Sequence, residues 1–152
     1  MKDQRIVTFL LASGPLTLIG ELNRLLQSPQ KKSIIRRTAQ ALLAARTGPV
    51  IVILGHDAQK IHGELYDLNV EFVLDADYRQ GSLSSLQKGL RNYAGAMDAF
   101  MVISGDQEIT TTCATTLATY FQTNPGTMLA TPHQGRRGQP VLLSANLSLI
   151  HI

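Results

Sequence analysis

The sequence predicts an α/β domain in which a mostly parallel sheet is covered by helices on both faces. Short apolar runs alternate along the chain with stretches of helical periodicity, which is the order of repeated βαβ units. The run at residues 49–54 is almost entirely β-branched, as expected for a strand that is buried on both faces. The length of 152 residues fits one domain with a single core.

Each element is predicted from the pattern of its own stretch. Residues 33–45 carry apolar side chains at helical spacing, and Gly48 follows them as a stop signal. Asp57 and Ser82 are expected to cap the helices that follow them. The predicted helices are residues 33–45, 57–65, 82–93 and 110–122, and the predicted strands are residues 5–11, 49–54, 70–74, 99–104, 127–131 and 140–143.

Composition excludes several classes of protein. The net charge is only +3, the basic residues stand in isolated pairs and aromatic residues make up 5%, so no nucleic-acid partner is expected. No apolar run reaches the roughly 20 residues of a membrane span, and no signal peptide is recognisable. Cys113 is the single cysteine, which fits a reducing cytoplasm and, without a histidine partner, a structural role.

Ligands of parallel sheets bind at the carboxyl ends of the strands, so the loops at residues 12–24, 55–57, 75–82 and 105–110 are expected to hold the site. In the first loop, Ala12, Ser13 and Gly14 are small enough for backbone N–H groups to approach a nucleotide phosphate. A plain strand-to-helix turn explains the same three residues. His56 has no second ligand at metal spacing, so no zinc site is expected there.

Acidic and hydroxyl residues follow two further strands. Asp106 stands after an apolar strand, where its carboxylate can hold Mg²⁺ or, alternatively, cap the next turn. Gly81 and the serines at residues 82–85 form a helix start with free N–H groups. Asp75 and Asp77 also match the short Asp-x-Asp metal motif of glycosyltransferases.

Two arginines, Arg136 and Arg137, stand between Gly135 and Gly138 just before a predicted strand. Paired guanidinium groups suit an anionic substrate such as a phosphate. A solvated basic hairpin is the alternative explanation.

The ordered set of motifs resembles the MobA-like nucleotidyltransferases, and within them the molybdenum cofactor cytidylyltransferases. The resemblance covers nearly the whole chain. The motifs that carry it are the small-residue loop at residues 11–14, Gly55-His-Asp-Ala58, Gly81-Ser-Leu-Ser-Ser-Leu86 with Gly89-Leu90, Gly105-Asp-Gln107 and Arg136-Arg-Gly-Gln-Pro-Val141.

This resemblance implies a Rossmann-like three-layer α/β/α fold of the nucleotide-diphospho-sugar transferase type. It also implies transfer of a nucleotide from CTP, less often GTP or ATP, to the phosphate of molybdopterin, with Mg²⁺ as cofactor and a molybdoenzyme as further partner. Asp106 would hold the metal, and Arg24 would offset the charge of the leaving pyrophosphate. The nucleotide-binding residues implied by the resemblance are Leu11, Ala12, Ser13, Gly14, Gly81, Ser84, Ser85, Gln107 and Arg137.

The chain departs from the family pattern in its first loop. The positions of the family's serine and arginine are occupied by Leu16 and Leu18, and Glu108 replaces a proline. These departures leave open a non-catalytic nucleotide-binding paralogue as an alternative to the enzyme. The motif of Asp75 and Asp77 leaves open a glycosyltransferase as a second alternative.

The domain is expected to span residues 1–146 and to lack the last helix and strand of the family. Residues 147–152 read Leu-Ser-Leu-Ile-His-Ile, which matches the translation of a transposon-end adapter. We therefore interpret them as a non-native tail.

Overall fold

A computed structural model describes residues 5–13, 33–93, 95–105, 107, 109–124, 129–133 and 136–145, with residue 82 and residues 129–140 described by their backbone alone. The strands are β1 (Ile6–Ala12), β2 (Val50–Leu54), β3 (Glu71–Leu74), β4 (Ala99–Ser104), β5 (Leu129–His133) and β6 (Arg136–Ser144). The helices are α1 (Ile34–Ala45), α2 (Ala58–Leu65), α3 (Ser82–Tyr93) and α4 (Thr111–Thr123), and a short 3-10 turn covers Tyr78–Gln80. The proposed tail at residues 147–152 lies outside this described part.

One six-stranded sheet in the order β3-β2-β1-β4-β6-β5 forms the middle layer. Strands β1 to β4 are parallel, whereas β6 runs antiparallel to β4 and β5 antiparallel to β6. Ala12 pairs with Leu54, and Leu54 pairs with Leu74, so these three strands end together at one edge of the sheet. The predicted mostly parallel sheet is therefore confirmed, and the predicted site loops all begin at this edge.

Helices cover both faces of the sheet and complete the three predicted layers. Leu10 of β1 belongs to the cluster that packs on α1, α2 and α4, and its neighbour Phe9 belongs to the cluster that packs on α3. This alternation follows from the two-residue period of a strand. Phe9 meets Tyr93 and Phe100 edge-on at ring-centroid distances of 6.0 and 6.1 Å.

Two of the predicted helix caps, Asp57 and Ser82, are wrong. Asp57 precedes α2, but its backbone is left-handed at a φ of 54° and its side chain makes no capping hydrogen bond. A capping side chain needs an extended backbone at that position, which Thr110 and Ser33 adopt instead; each accepts a backbone N–H three residues ahead. Ser82 is the first residue of α3 and follows Gly81, so it lies inside the helix that it was expected to cap.

The β5–β6 hairpin is longer than predicted. Arg136 already pairs with His133 and Arg137 with Pro132, so the predicted arginine loop is part of β6. Strand pairing therefore includes residues that the sequence analysis assigns to a loop. Within the described residues, no helix combines the length and the apolar character that crossing a membrane requires.

Candidate functional site

The carboxyl edge of the parallel strands gathers most of the predicted site residues that the structure describes. Leu11 and Ala12 end β1, and Ser13 follows them directly. Gly81, Ser84 and Ser85 lie at the start of α3, and Gln107 follows β4. Predicted residues outside the described part are Gly14, Arg24 and Asp106.

Ser13, Ser85 and Asp75 form one continuous hydrogen-bonded series at this edge, which we name the buried polar chain. The Ser13 hydroxyl donates to Ser85 Oγ over 2.7 Å, and the Ser85 hydroxyl donates to Asp75 Oδ2 over 2.6 Å. The three residues are 2%, 0% and 1% exposed, respectively. Two of the predicted nucleotide-binding serines are thus brought together by a buried carboxylate.

Asp75 has two further partners. The backbone N–H of Asp77 donates to Asp75 Oδ1 over 2.9 Å, and Lys88 Nζ lies 3.8 Å from the same oxygen. These contacts compensate the cost of burying a carboxylate. Because Asp75 is directed inward and Asp77 is exposed, the pair does not present two carboxylates to one metal, as an Asp-x-Asp motif requires.

The loop after β2 holds Ser13 from the other side. The backbone N–H of His56 donates to the Ser13 carbonyl over 3.0 Å. A Cβ atom added to Gly55 would lie 2.5 Å from Tyr78 Cβ and 2.7 Å from the Ser13 carbonyl oxygen. Only glycine allows the three loops to approach so closely.

The residues that flank Asp106 are held at the same edge. The N–H of Gly105 donates to the Leu11 carbonyl over 2.8 Å, and the N–H of Gln107 donates to the Ser104 carbonyl over 3.1 Å. The hydroxyl of Thr38 in α1 donates to the Gln107 carbonyl over 2.9 Å. Within the described ranges, no three His, Cys, Asp or Glu side chains come together as a metal site.

The rings of His56 and Tyr78 form a half-exposed aromatic surface beside the site loops. The His56 ring lies 5.9 Å from the Tyr78 ring, and the guanidinium of Arg79 lies 5.9 Å from the same tyrosine ring. His56 Nε2 is 3.5 Å from Asp57 Oδ2. Burial raises the pKa of the Cys113 thiol, which is the opposite of what a nucleophilic cysteine needs.

Two residues of the site were missed as site residues in the sequence. The sequence indicates Asp75 only as part of a metal motif, and no pattern indicates Thr38. The available signal for Asp75 was its position directly after β3, where an inward carboxylate can reach the start of the next helix. Thr38 offers no such signal, because its contact with Gln107 spans 69 residues.

Comparison with known proteins identifies the type of domain. The family model described as a MobA-like NTP transferase domain matches residues 9–150. No curated protein is similar enough to the chain to count as a match.

Solved structures share the fold. A nucleotidyl transferase from Methanothermobacter thermautotrophicus is 21% identical, with a TM-score of 0.74 over 94% of this chain and 73% of that chain. Rv0371c from Mycobacterium tuberculosis H37Rv, solved as a complex with manganese, is 16% identical, with a TM-score of 0.79 over 96% of this chain and 74% of that chain. CMP:2-keto-3-deoxy-manno-octonic acid synthetase complexed with CTP is 14% identical, with a TM-score of 0.64 over 86% of this chain and 52% of that chain.

These structures agree with the three-layer fold. The family model adds the activity, because it covers all but the first eight and last two of the 152 residues. The chain belongs to the family of MobA-like NTP transferase domains and is a nucleotidyltransferase.

Proposed function

We propose that this nucleotidyltransferase transfers CMP from CTP to the terminal phosphate of molybdopterin, or of a closely similar phosphorylated acceptor, and releases pyrophosphate. The observation that carries the proposal is the meeting of the resemblance motifs at one edge: Ser13, Gly55, the start of α3 and Gly105 are joined there by short contacts. The likeness to a synthetase solved with CTP supports a cytidine nucleotide as donor.

The end of β1 and the start of α3 supply the phosphate-binding backbone in this proposal. Ala12 and Ser13 bring the main chain to the edge without bulky side chains. The first N–H groups of α3 carry the positive end of a 12-residue helix dipole, which attracts phosphate oxygens. Gly81 and Ser84 lie at this helix start, where Gly81 has a φ of 107° that favours glycine.

A divalent cation fits the donor chemistry of the loop after β4. Asp106 supplies a carboxylate, the ligand that Mg²⁺ prefers, and its neighbours Gly105 and Gln107 are tied to the edge by backbone hydrogen bonds. The manganese complex of Rv0371c supports a divalent metal in this fold. When bound, the cation would neutralise charge on the triphosphate.

The basic residues complete the charge balance. We assign Arg24 to the leaving pyrophosphate and Arg137 to an anionic substrate group, because guanidinium groups bind phosphate oxygens with paired hydrogen bonds. A phosphate oxygen of the acceptor attacks the α-phosphorus of CTP in line, and the bond to the β-phosphate oxygen breaks. The protein does no covalent chemistry, so its contribution is positioning and charge stabilisation.

We assign the reaction to the cytoplasm and its product to a molybdoenzyme that receives the finished cofactor. Cys113 is the single cysteine, so the chain forms no internal disulfide, which supports a reducing compartment.

Pyrophosphate release tests the proposal. The purified chain is incubated with Mg²⁺, molybdopterin and CTP, GTP or ATP in turn. We expect release with CTP above the other two nucleotides, and loss of release in Asp106→Asn with an unchanged unfolding midpoint. Asp77→Asn is the matched control, because Asp77 is exposed and lies in a neighbouring loop. CTP binding without turnover would favour a non-catalytic paralogue, and loss of metal binding in Asp77→Asn alone would favour a glycosyltransferase.

A further inference from the structure

The buried polar chain of Ser13, Ser85 and Asp75 joins the end of β1, the start of helix α3 and the loop after β3. We infer that Ser85 is a positioning residue: held by Asp75, it anchors Ser13 and thereby fixes the point at which the nucleotide-binding loop leaves β1. The inference rests on the proposed use of CTP. It replaces a direct contact of the Ser85 hydroxyl with nucleotide, since that hydroxyl is fully buried and already bonded.

The direction of the hydrogen bonds follows from the chemistry of the groups. A carboxylate offers only acceptors, so Asp75 accepts a hydrogen bond from the Ser85 hydroxyl on one oxygen and from the Asp77 N–H on the other. The single hydroxyl proton of Ser85 is thus used, and Ser85 Oγ can only accept from Ser13. Ser13 in turn has no hydroxyl proton left for a phosphate oxygen, so its contribution to triphosphate binding comes through the backbone.

Two oxygen atoms of Ser13 are anchored, the hydroxyl by the start of helix α3 and the carbonyl by the loop after β2. Its hydroxyl is bonded within the buried polar chain, and its carbonyl accepts the N–H of His56 over 3.0 Å. Two positions earlier, the carbonyl of Leu11 accepts the N–H of Gly105 over 2.8 Å. Loss of the hydroxyl anchor therefore leaves this short stretch to its backbone hydrogen bonds with the neighbouring strands and loops.

A positioning role has a kinetic signature. Backbone contacts to the triphosphate exist before and during the reaction, so loosening them weakens ground state and transition state alike. The expected result is a raised KM for CTP with kcat nearly unchanged. A residue that only supports the fold would lower the amount of active protein and would leave KM unchanged.

Hydrogen exchange and kinetics on the full chain test the inference together. The variants are Ser13→Ala, Ser85→Ala and the double variant. Ser144→Ala is the matched control, because Ser144 is also buried but pairs with Ala99 at the opposite edge of the sheet. Ser13→Ala should lower the free energy of unfolding less than Ser85→Ala, since Asp75 keeps its Ser85 donor. Thermal unfolding confirms that each variant is folded under the assay conditions.

We expect each single variant to speed exchange of the His56 amide and to raise KM for CTP, both by about fivefold. We expect the double variant to match the single variants, because both changes break the same series. Ser144→Ala should leave both quantities unchanged. Unchanged His56 exchange in Ser13→Ala would overturn the inference, as would KM effects that multiply in the double variant. If the native chain does not use CTP, the proposed function fails, while the His56 exchange still decides the role of the buried polar chain.

Discussion

The hydroxyl of Thr38 donates a 2.9 Å hydrogen bond to the carbonyl oxygen of Gln107 and so ties helix α1 to the loop that follows β4. Thr38 is 1% exposed, and Gln107 follows Asp106 directly in the chain. The helix on one face of the sheet therefore restrains the loop to which we assign the divalent metal.

Replacing Thr38 by valine keeps the shape of the side chain and removes only this donor. We expect Thr38→Val to lower the free energy of unfolding by about 1 kcal/mol, as is typical for one hydrogen bond. We also expect the Mg²⁺ concentration for half-maximal activity to rise severalfold. Urea unfolding and a metal titration of pyrophosphate release measure the two effects. Thr115→Val is the control, because the Thr115 hydroxyl bonds only within its own helix at Thr111; an equal change in both variants would contradict the restraint.

Gly55 is expected to tolerate no side chain. The added Cβ of Gly55→Ala would lie 2.5 Å from Tyr78 Cβ, so the loops must separate, at a cost of about 1–3 kcal/mol in the free energy of unfolding. Gly63→Ala is the matched control in helix α2, where nothing lies within 4 Å of the added Cβ. We expect that variant to gain roughly 0.5–1 kcal/mol from helix propensity. Denaturant unfolding of both variants gives the comparison, and equal stability of the two would show that the approach at Gly55 is not tight.

The phenol of Tyr93 is expected to resist ionisation in the folded protein. Burial raises the pKa of Tyr93 to about 12, and the hydrogen bond that it donates to Glu71 adds to the increase. The neutral phenol is thus favoured in the folded state. Its stabilising contribution is complete below pH 10, the ordinary value, and is lost as the pH rises toward 12.

Ultraviolet titration of the phenolates measures this shift. The chain has four tyrosines, and Tyr93→Phe should remove the component that titrates last. Glu71→Gln should lower the pKa of Tyr93 without returning it to 10, because burial, the larger cause, remains. A single titration of all tyrosines near 10 would refute this account of Tyr93.

The two leucines of the first loop are expected to limit turnover. Leu16 and Leu18 occupy positions where the resembled family has a hydroxyl and a guanidinium group. A hydrogen bond to a charged group contributes about 1.5–3 kcal/mol, so we expect even one bond restored by Leu16→Ser with Leu18→Arg to raise kcat/KM for CTP by about ten- to a hundredfold. Leu16→Ala with Leu18→Met is the control, since it changes both leucines without adding donors. No gain over that control would mean that these positions do not face the triphosphate.

Local patterns predicted the elements well where one signal dominates. Strand β4 has the predicted bounds and helix α3 ends where predicted, because an unbroken apolar run and a helical pattern leave little ambiguity. The prediction of Asp57 as a helix cap was wrong. It rested on the capping propensity of aspartate, which does not indicate the left-handed backbone that Asp57 adopts after β2. The start of β6 at Arg136 was missed because strand pairing, rather than the glycines around it, decides where the hairpin turns.

The site was predictable only at the level of loops. The rule that ligands bind at carboxyl ends identified the edge that gathers Ser13, Ser85 and Gln107. The hydrogen bond between Ser13 and Ser85 spans 72 residues. Local sequence patterns cannot predict which hydroxyl groups pair across such a separation. The same holds for Thr38 and Gln107, whose contact depends on how α1 packs on the sheet.

Transfer of labelled phosphorus tests the central claim most directly. The full chain is incubated with Mg²⁺, molybdopterin and CTP labelled at the α-phosphorus, and the products are separated. Nucleotidyl transfer predicts that the label joins the acceptor, with one pyrophosphate released for each label transferred. Recovery of the label as free CMP, or as unreacted CTP, would contradict the proposed transfer.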